Sequence, residues 1–284
     1  MKLLGVIANC AKERAAEVLV RLRRKADSLG LTLMPDTATA GLMGLNSSAT
    51  PYDVVHQADV VMVLGGDGSM LRAVRELDGR DVPVIGVNLG ALGFMTSVTE
   101  NDLERALDCL VSRNFTTSRR MIMDCAVLRE GEQVGVFCAL NDAVVICGPR
   151  VGTLRMSVNG EGVGDFVCDG LIVSTPTGST GHSLSAGGPV LMPTAPAVVV
   201  SLICPHTLST RPLVLPAEST IDISVVERAV GARLSVDGQV GQPLEIGDVV
   251  RISQSPNGVR FIHLPGYSFF SVLRQKLHWR GSNV

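Results

Sequence analysis

The sequence predicts an α/β protein of two domains, in which an N-terminal doubly wound parallel sheet is followed by an all-β domain. Uninterrupted apolar runs such as residues 60–64 (VVMVL) are typical of strands buried on both faces of a parallel sheet. Strands alternate with helical patterns up to residue 113, which favours a doubly wound sheet. From about residue 115, short β-rich runs follow one another with little helix between them, which indicates an antiparallel domain.

The first domain, residues 1–114, is expected to alternate strands with amphipathic helices. The expected strands are residues 3–8, 31–33, 60–64 and 82–87, and the expected helices are residues 11–29, 70–77 and 100–113. Asn9 and Ser69 are placed to cap the first two helices. Residues 41–51 (GLMGLNSSATP) are rich in small side chains and are expected to form a loop.

The second domain, residues 115–264, is expected to be built from short strands and hairpins. The β-rich runs are residues 121–128, 134–140, 143–146, 213–214, 221–226, 232–236, 249–252 and 259–264. Turns at 130–132 (EGE) and 159–160 (NG) predict two hairpins. The closing segment, residues 265–284, is expected to contain a helix at 269–279 with Phe270, Leu273 and Leu277 on one face. We expect this segment to pack back on the first domain.

Composition describes a well-cored globular protein and excludes several classes of partner. Of the 284 residues 46% are hydrophobic and 18% charged, and the net charge of −2 provides no global basic surface for nucleic acid. No apolar run approaches the length of a membrane span. The seven cysteines lack C-x-x-C spacing, and several, namely Cys10, Cys138, Cys147 and Cys204, lie in or beside apolar runs, which is typical of reduced, buried thiols in a cytoplasmic protein.

A first candidate site is the pentad at 65–69 (GGDGS), directly after the apolar run at 60–64. A strand, a glycine turn and a helix N-terminus together form a phosphate-binding arrangement, because the backbone approaches the ligand closely and offers N–H groups. Asp67 would repel phosphates, so its carboxylate is better suited to a hydroxyl group or a metal ion. From the pentad alone, a simple glycine-rich turn with Asp67 as helix cap is an equally good interpretation.

A second candidate site is the segment 169–189 (DGLIVSTPTGSTGHSLSAGGP), which holds seven hydroxyl side chains and five glycines. It opens with a strand-like run at 171–174, unlike a solvated linker. A dense row of small hydroxyls and backbone amides suits phosphate and ribose oxygens. An ordinary Ser/Gly loop is the alternative interpretation of this segment.

These two segments, with motifs spread over nearly the whole chain, carry a resemblance to a known family. The further motifs are NLGALGF at 88–94, Asn141-Asp142, PHTLSTRP at 205–212, VDGQ at 236–239 and LRQKLHW at 273–279. Together they resemble the bacterial NAD kinase family. The resemblance implies a Rossmann-like first domain of the phosphofructokinase and diacylglycerol kinase type. It also implies transfer of the ATP γ-phosphoryl group to the adenosine ribose 2′-hydroxyl of NAD, making NADP.

The resemblance also implies roles for individual residues. Asp67 would be the catalytic acidic residue, and Gly65, Gly66, Gly68 and Ser69 would form the phosphate-binding loop. The implied NAD-binding residues are Asp67, Gly68, Leu71, Arg72, Phe94, Asn141, Asp142, Asp169, Thr177, Thr180, Gly181, His182, Ser183, Leu184, Ser185 and Gln239. No side chains are assigned to a resident metal; Mg²⁺ or another divalent cation would arrive with ATP. The implied assembly is a homodimer or homotetramer.

Two functional alternatives stay open, and one is excluded. A lipid or sugar kinase would share the GGDG domain, and a non-catalytic NAD-sensing module would share the pocket. An NADP-dependent oxidoreductase fails because no G-x-G-x-x-G follows a predicted strand. No G-x-x-x-x-G-K-[ST] is present either, so ATP would not be held by a Walker P-loop. The chain has Asp142 where the family usually has glutamate, a carboxylate one methylene longer. His182 stands where tyrosine is common, and because its ring can gain a proton we expect weaker binding near pH 6. Asp237 is either a turn residue or a nucleotide contact.

Overall fold

The computed structural model describes residues 1–90, 93–207, 209–227 and 231–279, without the side chain of Glu227. Ala91 and Leu92 of the second glycine-rich motif and Leu208 of the PHTLSTRP motif lie outside the described residues. The chain divides into two compact units. Unit 1 contains Met1–Arg119 and the chain from Val259 onward, and unit 2 contains Arg120–Gly258.

Unit 1 is an α/β unit whose strands lie parallel. Its strands are β1 Leu3–Ala8, β2 Thr32–Pro35, β3 Val60–Gly65, β4 Val84–Asn88 and the short β5 Val98–Thr99, and its first five helices are α1 Ala15–Ser28, α2 Thr37–Leu42, α3 Pro51–Gln57, α4 Asp67–Glu76 and α5 Leu103–Ser112. The strand order is β2-β1-β3-β4, with β5 beside β4. All six residues of β3 are buried, as its uninterrupted apolar sequence predicts.

Three local predictions for unit 1 were wrong. The fourth helix begins at Asp67 after Gly66, so Ser69 lies inside its first turn and does not cap it. The first helix begins at Ala15, and Asn9 binds the N–H of Ala11 before it. The expected loop at 41–51 holds the end of α2 and the first residue of α3, where Thr50 and Asp53 form a reciprocal capping box.

Unit 2 is sheet-rich, and its elements form two antiparallel layers around one core. Its strands are β6 Thr116–Arg129, β7 Glu132–Ala139, β8 Asp142–Ile146, β9 Gly152–Val158, β10 Glu161–Cys168, β11 Gly170–Ser174, β12 Ala197–Ile203, β13 Leu213–Pro216, β14 Ile221–Glu227, β15 Arg233–Val236, β16 Val240–Pro243 and β17 Val249–His263. One layer has the order β13-β12-β11-β8-β15-β16, and the other contains β10-β9-β14-β17 with β6 and β7. Alternate residues of both layers supply the core. The first residues of β6 and the last of β17 belong to unit 1.

Both predicted hairpins are confirmed. The β6–β7 and β9–β10 pairs are antiparallel, and their turn residues Glu130-Gly131 and Asn159-Gly160 all have positive φ. Two-residue turns of this kind match the twist of the flanking strands. The described helical residues of unit 2 are the 3-10 turn Gly178–Thr180 and the short helix α6 His182–Ser185. The predicted fold class, an α/β N-terminal domain and a sheet-rich second domain, is therefore confirmed.

The last helix, α7 Phe269–Lys276, belongs to unit 1. Its buried residues are Val272 and Leu273, while Phe270 is 56% exposed, so the expected apolar face with Phe270 was wrong. None of the seven cysteines is in a disulfide, but Cys138 and Cys204 are exposed and were wrongly expected to be buried. No helix among the described residues is long and apolar enough to span a membrane.

Candidate active site

In unit 1 the candidate site lies where β3 ends and α4 begins. Gly65 is the last residue of the strand, Gly66 is the N-cap of the helix, and Asp67 is its first helical residue. The register pairs Gly65 with Asn88, so the carboxyl ends of β3 and β4 lie side by side. Ligands of doubly wound sheets bind beyond these strand ends, and a carboxylate in the first turn of a helix is favoured by the helix dipole.

The second glycine-rich turn holds the Asp67 carboxylate. Its two oxygens accept the backbone N–H groups of Phe94 at 2.9 Å and Met95 at 3.0 Å. The turn itself is tied by Thr96, whose hydroxyl accepts the Gly93 N–H at 3.1 Å and the Asn88 amide at 3.0 Å. The carboxylate is therefore fixed in direction by backbone that follows the neighbouring strand, and it is half-buried.

Gly93 leaves the space that this carboxylate occupies. A β-carbon at position 93 would lie 2.0 Å from Oδ1 of Asp67 and 2.8 Å from the Thr96 hydroxyl. No real β-carbon approaches so closely, so only glycine fits while Asp67 keeps its orientation. Sequence reasoning identified the turn but not this dependence, because a contact between residues 67 and 93 has no signal in a single sequence.

The other predicted residues of unit 1 differ in their access to a ligand. Gly68 and Arg72 are exposed on the first turns of α4, and Phe94 is half-buried with the Lys276 ammonium 6.0 Å from its ring. Leu71 is 6% exposed and packs in the core, so it offers a ligand little surface. These residues stay predictions as NAD contacts.

In unit 2 the candidate residues gather where three neighbouring strands end. Asp142 begins β8 and pairs in register with Ser174, the last residue of β11. Val236, the last residue of β15, pairs with Ala143. The Asn141-Asp142 pair, the hydroxyl-rich loop after Ser174 and the turn at Asp237 therefore lie at one end of the same sheet.

The hydroxyl-rich loop is fastened to the Asn141 backbone. The Thr175 N–H donates to the Asn141 carbonyl at 2.8 Å, and its hydroxyl donates to the Leu140 carbonyl at 2.5 Å. Thr175 then accepts the Gly178 N–H at 3.2 Å, which starts the 3-10 turn. Several of the serines and threonines thus bond within the loop, so its hydroxyl-rich composition serves structure.

Within the described part of the chain, two buried oxygens of this region have no hydrogen-bond partner. They are Oδ1 of Asn141 and the hydroxyl of Thr177. Leaving such atoms unpaired costs free energy unless water or a ligand satisfies them. Both residues were predicted from the resemblance to contact NAD, and buried polar atoms without partners are typical of a site that binds a polar ligand.

The remaining predicted residues of unit 2 are not all brought to this point, because Asp169 precedes Gly170 at the other end of β11 from Ser174. Ser183 is buried, with its hydroxyl 3.2 Å from that of Ser201. The others are partly or fully exposed, namely Thr180, Gly181, His182, Leu184, Ser185, Asp169 and Gln239. The Asp169 backbone bridges two strands, donating to the Ile203 carbonyl at 3.0 Å and accepting the Cys147 N–H at 2.9 Å. Their roles as NAD contacts stay predictions.

Asp142 carries a buried carboxylate with an altered acidity. Burial raises the pKa of its carboxyl from 3.8 to about 6, the nearby imidazole of His182 opposes the increase, and the negative charge of Asp237 adds to it. The imidazole Nδ1 lies 3.5 Å from Oδ1 of Asp142, and the His182 side chain is largely exposed. The two positions that differ from the usual family pattern therefore contact each other.

This burial predicts that Asp142→Asn stabilises the protein above neutral pH. Between about pH 4 and pH 6 the folded chain keeps a proton that the unfolded chain has released, so wild-type stability falls as the pH rises through this window. The neutral amide avoids that loss. We expect the free energy of unfolding to rise by about 1–3 kcal/mol at about pH 8, with the gain disappearing towards about pH 4.

Chemical denaturation across this pH range measures the effect. Asp222→Asn is a control for removing one negative charge from the same unit, since Asp222 forms a solvent-accessible ion pair with Arg251. The assignment of a costly buried carboxylate would be contradicted if Asp142→Asn raised the free energy of unfolding equally at every pH. It would also be contradicted if the variant were less stable than the wild type at about pH 8.

The fixed carboxylate at a glycine turn in unit 1 and the cluster of polar residues at the strand ends of unit 2 are typical of a nucleotide-binding protein. The chain matches the family models of the ATP-NAD kinase N-terminal domain over residues 4–115 and of the ATP-NAD kinase C-terminal domain over residues 140–264. A curated NAD kinase of Symbiobacterium thermophilum is 39% identical over 96% of this chain and 98% of the relative. An NAD kinase of Geobacter metallireducens is 40% identical over 98% and 99% of the two chains. The chain belongs to the NAD kinase family.

Solved structures agree on the fold. Yeast NADH kinase complexed with NADH has a TM-score of 0.91 and 24% sequence identity, covering 100% of this chain and 89% of that chain. An NAD kinase from Archaeoglobus fulgidus in complex with ATP has a TM-score of 0.78 and 23% identity, covering 98% and 100%. At these identities the two structures establish the shared fold alone.

Proposed function

We propose that this chain transfers the γ-phosphoryl group of ATP to the 2′-hydroxyl of the adenosine ribose of NAD. The oxygen–phosphorus bond to ADP breaks, a bond to the ribose oxygen forms, and the hydroxyl proton is released, giving NADP and ADP. The observation that carries the proposal is the Asp67 carboxylate, held by two backbone amides beside the glycine turn. Relatives named NAD kinase, 36–40% identical over nearly the whole chain, supply the identity of the substrates.

We assign to Asp67 the orientation of the ribose hydroxyl and the late acceptance of its proton. An alcohol is a far weaker acid than a carboxylic acid, so a carboxylate cannot ionise it in advance; it accepts the proton as the bond to phosphorus forms. Each carboxylate oxygen accepts one amide and keeps a further lone pair for this purpose. Fixing the acceptor before the substrate arrives reduces the entropic cost of reaching the transition state.

The glycine turn is assigned to the phosphates. Gly66 and Gly68 lack side chains, so a phosphate can approach the backbone at the N-terminus of α4, where the helix dipole favours negative charge. Gly65 and Ser69 keep this turn compact, because a β-carbon at position 65 would overlap the Ser69 side chain. Phosphoryl transfer depends mainly on alignment and charge neutralisation, which this arrangement favours.

A divalent cation, Mg²⁺ in the simplest case, fits this chain as a companion of ATP. Among the described residues no group of three or more histidine, cysteine or acidic side chains could enclose a metal. Mg²⁺ commonly binds substrate phosphates and water with few protein ligands. When bound, the cation neutralises phosphate charge in the transition state.

The adenosine end of NAD is assigned to unit 2. The unpartnered oxygens of Asn141 and Thr177 suit hydrogen-bond donors of adenosine, and Asp142 suits a ribose hydroxyl. His182 offers a ring for stacking on adenine. The residues from Thr180 to Ser185 are assigned to the same end of NAD, near the adenine. Asp169 and Gln239 are proposed as further NAD contacts, as the family resemblance implies.

We also propose a cytoplasmic homodimer or homotetramer. The reduced cysteines support the compartment, and the family resemblance supports the assembly. Sedimentation equilibrium of the purified protein distinguishes a monomer from either assembly.

The function is tested by incubating the purified protein with NAD and Mg-ATP and measuring NADP with an NADP-specific dehydrogenase. We expect NADP to form in equal amount to ADP, and none to form when ATP is omitted. Diacylglycerol and simple sugars serve as alternative acceptors in the same assay. Phosphorylation of one of these without NADP formation, or NAD binding without any turnover, would contradict the proposal.

A further inference from the structure

Asp237 makes contacts that its place in a turn does not explain. It follows the last residue of β15 and has a φ of +52°. Its Oδ1 accepts the N–H groups of Asn141 at 2.7 Å and Asp142 at 3.1 Å, and its Oδ2 accepts that of Leu140 at 3.0 Å. Its own N–H donates to the Asp142 carbonyl at 2.9 Å. One carboxylate therefore collects three consecutive amides that lie 95–97 residues away in sequence.

Three consecutive amides pointing to one side form an anion-binding concavity. In a regular strand successive N–H groups alternate in direction, so a neighbouring strand cannot satisfy all three. This concavity occurs where β7 ends and β8 begins, and Leu140 within it is only 2% exposed. Leaving such buried amides without an acceptor would be costly, and a charged acceptor is the strongest available partner.

The carbonyl side of the same backbone is held by the hydroxyl-rich loop. Thr175 binds the carbonyls of Leu140 and Asn141, and a β-carbon at Gly178 would lie only 2.1 Å from the Asn141 carbonyl oxygen. Asp237 fixes the amide side while the loop fixes the carbonyl side. A shift of the Asn141 backbone would therefore also move the loop that carries Thr177.

We propose that Asp237 is a positioning residue for NAD, which holds residues 140–142 so that Asn141 and Asp142 present their side chains to the adenosine moiety. The inference rests on the proposed function. It assigns Asp237 no contact with NAD and no part in the chemistry. Its removal should therefore weaken NAD binding while the phosphate-binding turn of unit 1 stays intact.

Two substitutions separate this role from a general structural one. Asp237→Asn keeps one oxygen for the shared amides of Asn141 and Asp142 but turns an NH₂ group toward the Leu140 N–H. Asp237→Ala removes every acceptor. Asp59→Asn is the matched control, because the Asp59 carboxylate in unit 1 accepts the backbone N–H groups of Lys2 at 2.7 Å and Leu3 at 3.0 Å.

Initial rates give KM for NAD, KM for ATP and kcat, titration calorimetry gives the Kd of NAD without ATP, and thermal unfolding reports stability. We expect Asp237→Asn to raise KM and Kd for NAD about tenfold and Asp237→Ala about 100-fold, through one or more lost charge-assisted hydrogen bonds. KM for ATP should stay near the wild-type value. Asp59→Asn should lower thermal stability without changing the affinity for NAD.

The outcomes are distinguishable. A wild-type protein that forms NADP, with Asp237 variants that lose stability but bind NAD as tightly as wild type, would overturn the positioning role alone. An equal loss of affinity for NAD in Asp59→Asn would overturn it as well, since the effect would then be general. A wild-type protein that neither binds NAD nor forms NADP would overturn the proposed function, and the role of Asp237 with it. If Asp237→Ala does not fold, Asp237→Asn decides.

Discussion

Asp67→Asn should lower kcat for NADP formation by about two to four orders of magnitude, which is the range expected for losing a general base. Asparagine has nearly the same shape, so the ribose should still find its place, but its amide cannot accept a proton. One of the two backbone N–H groups of Phe94 and Met95 would also face an NH₂ group instead of an oxygen. Because the shape of the side chain is preserved, the Kd of NAD should stay close to that of the wild type.

Single-turnover rates and calorimetric NAD binding check this result. Asp81→Asn is a suitable control, because Asp81 is an exposed carboxylate of unit 1 that pairs with Arg260. A near-wild-type rate in Asp67→Asn would remove Asp67 from the chemistry. Loss of NAD binding with an unchanged rate at saturation would make it a substrate-binding residue only.

Gly93→Ala should also lower kcat for NADP formation, although it leaves the Asp67 carboxylate itself unchanged. The added methyl would overlap Oδ1 and Cγ of Asp67, at 2.0 and 2.7 Å, and the Thr96 hydroxyl at 2.8 Å. Because these are side-chain atoms, they can rotate away, and we expect the fold to survive. The Asp67 carboxylate would then leave its amide partners, and a misplacement of about 1 Å can cost about 100-fold in rate.

Gly90→Ala, in the same turn, is the matched control. Among the described residues, a β-carbon at position 90 would meet only Oδ1 of Asn88, at 3.9 Å, which is an ordinary contact. We expect this variant to keep nearly full kcat, whereas Gly93→Ala loses at least about two orders of magnitude. Equal activities of the two variants would show that the orientation of Asp67 by the second glycine turn does not matter for turnover.

Local sequence patterns predicted the parts of the fold that are determined locally. The valine-rich run before Gly65 gave a fully buried parallel strand, and the Asn159-Gly160 turn gave a hairpin. The helix α3 was missed although its capping box, Thr50 and Asp53, and its Pro51 are readable in the sequence. The small residues around it outweighed those signals.

The residues of the candidate site could be proposed from the sequence, but the contacts that hold them in place could not. Asp67 stands out as an acid among glycines, whereas its partners Phe94 and Met95 lie 27 and 28 residues further along the chain. Asp237 likewise acts on amides far away in sequence. Such contacts arise from strand order in the sheet, which a single sequence specifies only through the whole fold.

The central claim is that the Asp67 carboxylate faces the hydroxyl that becomes phosphorylated. A crystal structure of the protein with NAD bound measures this directly, as the distance from the adenosine ribose 2′-oxygen to the nearer carboxylate oxygen of Asp67. We predict about 2.6–3.2 Å, the range of a hydrogen bond ready for proton transfer. A ribose that presents its 3′-hydroxyl to Asp67, or a 2′-oxygen well outside hydrogen-bond distance, would contradict the claim.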